Sequence, residues 1–397
     1  MPITAVAAPA PAVDGAGAPG PAMLTSGYDR ANALACYGDP EATTRPPVLL
    51  VPGTSVTPME NWGPAYLPVL LDRGHPVCTV RLPGDGTGDV QASVEYVATA
   101  IRALGARTSQ RISIIGHSQG AFLPRVALRT WPDLAAQVDD VIGIAGVYDG
   151  GSEAVARSCA TRCLPALHQL AAGSTFLAQV GRRALPTGPS YTNIGTLNDQ
   201  TITPQPMANG QLGAHSIILQ DVCPDYALPQ PAHAMIIGDA LTLSLTLDAL
   251  DHPGTADQSR VDPEGCAERE YPEFDAAEFR SAAGSQSSGT AEPVTTEPPL
   301  YCRDNAWCRS PRLRGYLVDR VHYRIGQKRV AVRIRAQLTG RIRVTLGGRS
   351  VARTVQPGRV VLHIRRPAKR KRLTIRTRPQ YYAAWAVEVR RPVKGRR

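Results

Sequence analysis

The sequence predicts two domains of different class: an α/β domain on a mostly parallel sheet with helices on both faces, then a small antiparallel β-sandwich. Three observations carry this. Short apolar runs alternate with helical patterns through roughly the first 280 residues. After residue 328 the apolar period becomes two, as in half-buried strands. Charge divides near the same place: residues 311–397 hold 26 Lys and Arg against two acids, whereas residues 1–310 hold 18 against 31. Opposite balances in one chain of 397 residues fit two domains better than one.

Residues 1–24 precede the first lysine or arginine, at Arg30, and contain no leucine-rich core. They are expected to form a disordered leader and not an intact signal peptide. Within 25–280, apolar runs predict strands at 47–52, 76–82, 111–116, 140–146, 191–196 and 216–222. Helical patterns lie between them, as at 94–106 and 119–131. Strands apolar on both faces belong in a covered parallel sheet. The most apolar stretch, 234–250, is interrupted by Asp239 and Asp248 and reads as a buried helix. No run reaches the roughly 18 residues of a membrane span. Residues 281–300 have the Ser, Thr, Pro and Gly content of a linker.

The basic segment, 301–397, predicts strands at 329–338, 341–346, 359–366, 372–377 and 383–391. In the first of these, Val330, Val332, Ile334, Ala336 and Leu338 share one face, and Arg329, Arg333 and Arg335 the other. That arginine face fits weak attachment to an anionic surface as well as it fits a merely solvated sheet face. It does not argue for sequence-specific nucleic-acid binding.

Eight cysteines, with no zinc-type spacing, favour disulfides over metal and an oxidising, extracellular compartment. Neighbour pairing would join Cys36–Cys78, Cys159–Cys163, Cys223–Cys266 and Cys302–Cys308, a connectivity that sequence alone leaves open. No metal or cofactor is expected, and the chain reads as a monomer.

The chemistry centres on "GHSQG" at 116–120, between a strand and a helix. Flanking glycines allow the tight turn that lifts Ser118 clear of the sheet, before a helix whose amides face the reacting oxygen. The same five residues in another context would be an ordinary turn. A base and an acid should follow in the order Ser, acid, His. Of eight histidines, His75 and His117 precede the serine, and His322 and His363 lie in the other domain. His215 opens a strand and so sits at the wrong end of the sheet, and His252 follows a helix. His233 follows the strand 216–222 and is the best base. Asp199, after the strand 191–196, is the best acid, with Asp221 and Asp225 as weaker options. The backbone amides of Thr54, in the turn after the first strand, and Gln119 are candidates for an oxyanion hole.

These pieces resemble the Candida antarctica lipase B-like serine lipase/esterase family of α/β-hydrolases, including its bacterial relatives. The matching segments are "LLVPGT" at 49–54, "NW" at 61–62, "VQASVEYVATAIRAL" at 90–104, "SQG" at 118–120, "LND" at 197–199 and "VC" at 222–223 before His233. The resemblance covers roughly residues 30–270; the basic domain lies outside it. It implies Ser118 as nucleophile, His233 as base, Asp199 as its partner, and Thr54 (amide and hydroxyl) and Gln119 (amide) as oxyanion hole. It also implies the Cys36–Cys78 and Cys223–Cys266 pairs. His117 stands where the yeast member has tryptophan, and residues 151–185 are expected to cap the site. The implied activity is a secreted lipase or carboxylesterase acting on hydrophobic, acylglycerol-type esters, with transient contact at a lipid interface. The alternative is a polyester or cutin hydrolase whose basic domain attaches to an anionic surface.

Overall fold

The computed structural model describes residues 20–42, 44–180, 184–205, 210–211, 213–284, 291–300, 318–325, 329–336, 340–355, 358–367, 371–379 and 386–393. The chain forms two compact units, one of residues up to Val180 with Ala184–Trp307, the other of Cys308–Arg397.

Seven strands make the sheet of the first unit: β1 (Leu34–Tyr37), β2 (Val48–Val51), β3 (Val77–Val80), β4 (Ile112–His117), β5 (Val138–Ile144), β6 (Ser190–Gly195) and β7 (His215–Ile218). Their order is β1-β3-β2-β4-β5-β6-β7. Strands β2 to β7 run parallel; β1 alone is antiparallel, at the edge. All four residues of β2 are fully buried. Leu49 and Val51 join one apolar cluster and Val48 and Leu50 the other, because successive side chains point to opposite faces. A strand covered on both sides is therefore apolar throughout, which is why it reads as an uninterrupted run.

The helices Val90–Gly105 and Gln119–Thr130 pack on one face. Phe122 on the second is fully buried and meets Phe176 edge-on at 6.2 Å; burial of such a side chain is worth about 2–3 kcal/mol. Arg129 near the end of this helix makes a buried pair with Asp149, at 2.6 and 2.9 Å, pinning the helix beside the loop after β5. On the other face, Asp239 does not interrupt a helix but caps one, accepting from the Thr242 amide at the start of Ala240–Asp251.

Other expectations need correction. The run at 216–222 is half strand: β7 ends at Ile218 and Leu219–Val222 is a short helix. Gln220 explains the turn, its side chain bonding Leu197 N, Asn198 Oδ1 and Tyr226 O. Residues 291–300, linker-like in composition, form a strap bound to the first unit. Val294 exchanges two backbone hydrogen bonds with Cys163, and Glu297 accepts from Thr175 N and Phe176 N. The start of the described chain is also docked: Pro21 O accepts from Trp131 Nε1, and Glu95 accepts from Leu24 N and Thr25 N.

Disulfides join Cys36 to Cys78, Cys159 to Cys163 and Cys223 to Cys266. The first ties β1 to β3 where the two cysteines stand opposite in register. Cys302 and Cys308 lie outside the described residues, as do residues 1–19 of the leader.

The second unit has two antiparallel sheets: β11-β10-β13-β14 and β12-β9-β8. The strands are β8 (Val318–Ile325), β9 (Arg329–Ala336), β10 (Gly340–Leu346), β11 (Arg349–Val355), β12 (Gly358–Arg365), β13 (Lys371–Pro379) and β14 (Ala386–Val393). Val330, Val332, Ile342, Val344, Leu346, Leu362, Ile364, Leu373 and Ile375 form its core. Gly347 and Gly348 close the β10–β11 hairpin, both at positive φ, as a two-residue turn of this hand requires.

Candidate active site

In a parallel sheet the loops at the C-terminal ends of the strands gather along one rim. Here β2 leads to Thr54, β4 to Ser118, β6 to Asp199, and β7 through a longer loop to His233.

Ser118 has φ 54° and ψ −122°, a conformation that is rare outside glycine. It is held there by close backbone packing. A Cβ on Gly116 would lie 2.1 Å from Gly120 O, and one on Gly120 would lie 2.2 Å from Val51 O. Both flanking positions must therefore be glycine. The Ser118 amide donates to Ile144 O, which fixes the turn to β5.

His233 lies on the short helix Ala232–Met235. Its Nε2 is 2.9 Å from Ser118 Oγ and its Nδ1 is 2.9 Å from Asp199 Oδ2. Asp199 Oδ1 accepts from Thr201 N and Ile202 N, both at 2.8 Å. With its side chain fully buried and Oδ2 facing the imidazole, the carboxylate holds Nδ1–H and leaves the Nε2 lone pair toward the serine. Asp221 and Asp225 are exposed and bond to neither residue. His215 opens β7 and is exposed, and His252 pairs with Asp248.

The loop after β2 is tied at both ends. Gly53 N donates to Asn61 Oδ1 at 2.8 Å and Ser55 N to Asp85 O at 2.8 Å. Between them Thr54 N meets no acceptor among the described residues, and neither does Gln119 N, at the first position of its helix. Thr54 and Gln119 are further joined directly: Gln119 Nε2 is 2.8 Å from Thr54 Oγ1 and 2.8 Å from Gly86 O.

Sequence reasoning placed no role on His117 beyond its replacement of tryptophan. It is buried, its Nε2 lies 2.9 Å from the His233 carbonyl oxygen, and the two rings approach to 5.1 Å. Burial first, and His233 second, push its pKa down to about 3. The ring is thus neutral at ordinary pH. Since a carbonyl can only accept, Nε2 carries the hydrogen, and the backbone of His233 is held by a side chain from the elbow itself. The turn Pro83–Gly86 was likewise not singled out. The run "PGDG" marks it as a turn, but nothing local shows that it touches Thr54 and Gln119.

Of residues 151–185, expected as a cap, the described stretch 151–180 forms the helices Glu153–Ser158, Pro165–Leu170 and Thr175–Val180. They bond to the loop that carries Asp199, through Ser152 Oγ to Thr201 O and Glu153 N to Thr203 O. Cys159, Cys163 and His168 bring potential metal ligands within 4.8 Å of one another. The two sulfurs are bonded to each other, however, so neither offers a thiolate. Among the described residues no helix is long and apolar enough to cross a membrane.

Comparison with known proteins agrees with this architecture. Lipase B of Pseudozyma antarctica is 28% identical over 178 residues, spanning 43% of this chain and 51% of that protein. The chain thus spans about half the length of this curated relative. The crystal structure of Aspergillus fumigatus lipase B has a TM-score of 0.63 at 24% identity, covering 71% of this chain and 73% of that one. It shares the fold. The sequence profile of the alpha/beta hydrolase family matches residues 48–361. That span takes in the loops that carry Thr54, Ser118, Asp199 and His233, and the chain belongs to the alpha/beta hydrolase family.

Proposed function

We propose that this chain is a secreted lipase or carboxylesterase that cleaves hydrophobic, acylglycerol-type esters through Ser118, His233 and Asp199. One observation carries the reading: an unbroken hydrogen-bonded line from Asp199 through His233 to Ser118, beside two amides with no acceptor among the described residues. In the first step Ser118 Oγ bonds to the ester carbonyl carbon and its proton passes to His233 Nε2. The negative oxygen takes hydrogen bonds from Thr54 N, the Thr54 hydroxyl and Gln119 N. As the carbon–oxygen bond to the alcohol breaks, His233 returns the proton to the leaving oxygen, giving an acyl-serine. Water, deprotonated by His233, then releases the acid and restores Ser118. Leu197, half exposed two residues before Asp199, offers an apolar contact for a hydrophobic substrate at this rim. The three disulfides among the described residues fit an oxidising compartment and support export.

An alkyl p-nitrophenyl phosphonate tests this. It is expected to release one nitrophenolate per chain and to add one phosphonyl group on the peptide bearing Ser118, read by mass spectrometry. Acid release from tributyrin should stop in step. Labelling elsewhere, or undiminished turnover after labelling, would overturn the assignment. Acid release from an aliphatic polyester film, run beside tributyrin, ranks polymer against acylglycerol as substrate.

The second unit supports attachment to an anionic surface. Cross-strand register sets Arg341 opposite Arg378 and Arg343 opposite Arg376 in one sheet, and Arg329 opposite Arg365 and Arg335 opposite Arg359 in the other. Arginines recurring along these strands give the unit a density of positive charge that an anionic surface would attract. The full chain should bind beads of an acidic polysaccharide, with affinity falling as salt rises. Arg341→Gln with Arg378→Gln should elute at lower salt while ester turnover is unchanged. Retention insensitive to salt and to these changes would refute attachment.

A further inference from the structure

We infer that the side chain of Gln119, as distinct from its backbone amide, is a positioning residue that makes the Thr54 hydroxyl a donor to the reacting oxygen. The inference rests on the serine-hydrolase reading above and assigns a role within that same site.

The donors and acceptors around this side chain fix its orientation. Gln119 is fully buried, and its terminal nitrogen lies 2.8 Å from Gly86 O and 2.8 Å from Thr54 Oγ1. Gly86 O is a backbone carbonyl and can only accept. The atom facing it must therefore be the amide nitrogen; turned over, Gln119 would set its own oxygen against that carbonyl. The amide has two hydrogens, and the geometry uses one for Gly86 O and the other for Thr54 Oγ1. Thr54 Oγ1 is thereby an acceptor from Gln119, so its single proton is left for another partner. A hydroxyl proton is otherwise free to rotate; here the rotor is biased before substrate arrives. Preorganised donors of this kind cost no rearrangement when charge develops on the ester oxygen.

The surroundings hold this arrangement in place. Gly86 has φ +75°, and a Cβ there would lie 3.2 Å from Gly53 O and 3.3 Å from Gln119 Nε2. The turn Pro83–Gly86 thus approaches both the Thr54 loop and Gln119 as closely as glycine permits. Ser55 N donates to Asp85 O in the same turn, and Arg81 pairs with the buried Asp85 carboxylate at 3.1 Å. Gln119 Oε1 has no hydrogen-bond partner among the described residues. Its amide is buried with its acceptor unmet, while both donors are engaged. A side chain retained only for packing would not need an amide there.

A double-mutant cycle tests the role on tributyrin. Thr54→Val removes the hydroxyl and is expected to lower kcat by about 10²-fold with little change in KM, the signature of a contact made only in the transition state. Gln119→Met should lower kcat by a similar or smaller factor in the wild-type background and have almost no further effect in the Thr54→Val background. Gln119→Glu keeps the shape but offers an acceptor, which would draw the Thr54 proton inward; its kcat should fall at least as far as that of Gln119→Met. Losses that multiply in the double variant, or full activity in Gln119→Glu, would overturn the inference. Melting temperatures identify a variant that merely fails to fold, in which case the remaining Gln119 variant decides. Ser118→Ala stands as the control: turnover surviving in it would sink the serine-hydrolase reading itself, whereas a dead Ser118→Ala with a multiplicative cycle sinks only the role of Gln119.

Discussion

Alanine at position 118 is expected to lower kcat on tributyrin by about 10⁶-fold, the scale seen when a serine hydrolase loses its nucleophile. The change removes one oxygen that bonds to His233 and packs against the elbow, so melting should shift little. On the proposed reading, residual turnover above background is also expected, because the Thr54 and Gln119 amides would remain to bind the ester oxygen. A test lies in the pair: adding His233→Ala to Ser118→Ala should cost almost nothing more, since nucleophile and base act as one unit. A further large drop would show that the two act separately, and near-normal turnover in Ser118→Ala would show that the nucleophile lies elsewhere.

Asparagine at position 199 should have the next largest effect, about 10⁴-fold in kcat. The reason is geometric. Thr201 N and Ile202 N both donate to one carboxylate oxygen, so an asparagine keeps its carbonyl there and turns its NH₂ toward His233 Nδ1. The imidazole must then accept at Nδ1 and carry its hydrogen on Nε2, facing Ser118 with no lone pair to receive a proton. Binding should hardly change, since Asp199 is buried behind the imidazole. The measurement is kcat against KM for tributyrin, with thermal melting alongside. A loss confined to KM, or a collapse in stability without loss of kcat in the folded fraction, would contradict the orienting role.

These residues were legible because a parallel sheet converts chain order into position. A polar residue just after an apolar run lands at one rim, which made Ser118 and Asp199 candidates from strand ends, whereas His233, well beyond the end of β7, was singled out by eliminating other histidines. The relation of Gln119 to Gly86 could not, because it joins two turns 33 residues apart through a single side chain. The same limit hid His117, whose partner is a backbone carbonyl 116 residues away.

Elements were missed for local reasons. β1 is four residues, three half-buried and Ala35 exposed, paired on one side, and carries too little pattern to stand out. β8 alternates only over Val321, Tyr323 and Ile325, with Val318 put out of phase by a register shift before Arg320, so its pattern is too short to stand out. β11 is an edge strand, and its Arg353 sits opposite the buried Ile342, a charge where a half-buried strand would show an apolar residue. Such a charge also discourages edge pairing with another chain. Strand 216–222 was overextended because Leu219 and Val222 are apolar in helix and strand alike.

The strap of residues 291–300 has a consequence for any attempt to take the molecule apart. Trimming the first unit where its composition turns bland would strip the Glu297 carboxylate from the start of helix Thr175–Val180 and leave Cys163 without its backbone companion. A stop codon or protease nick belongs no earlier than Leu300, and the compact unit itself runs to Trp307; the portable module is set by hydrogen bonds, not by where the hydrophobic pattern fades.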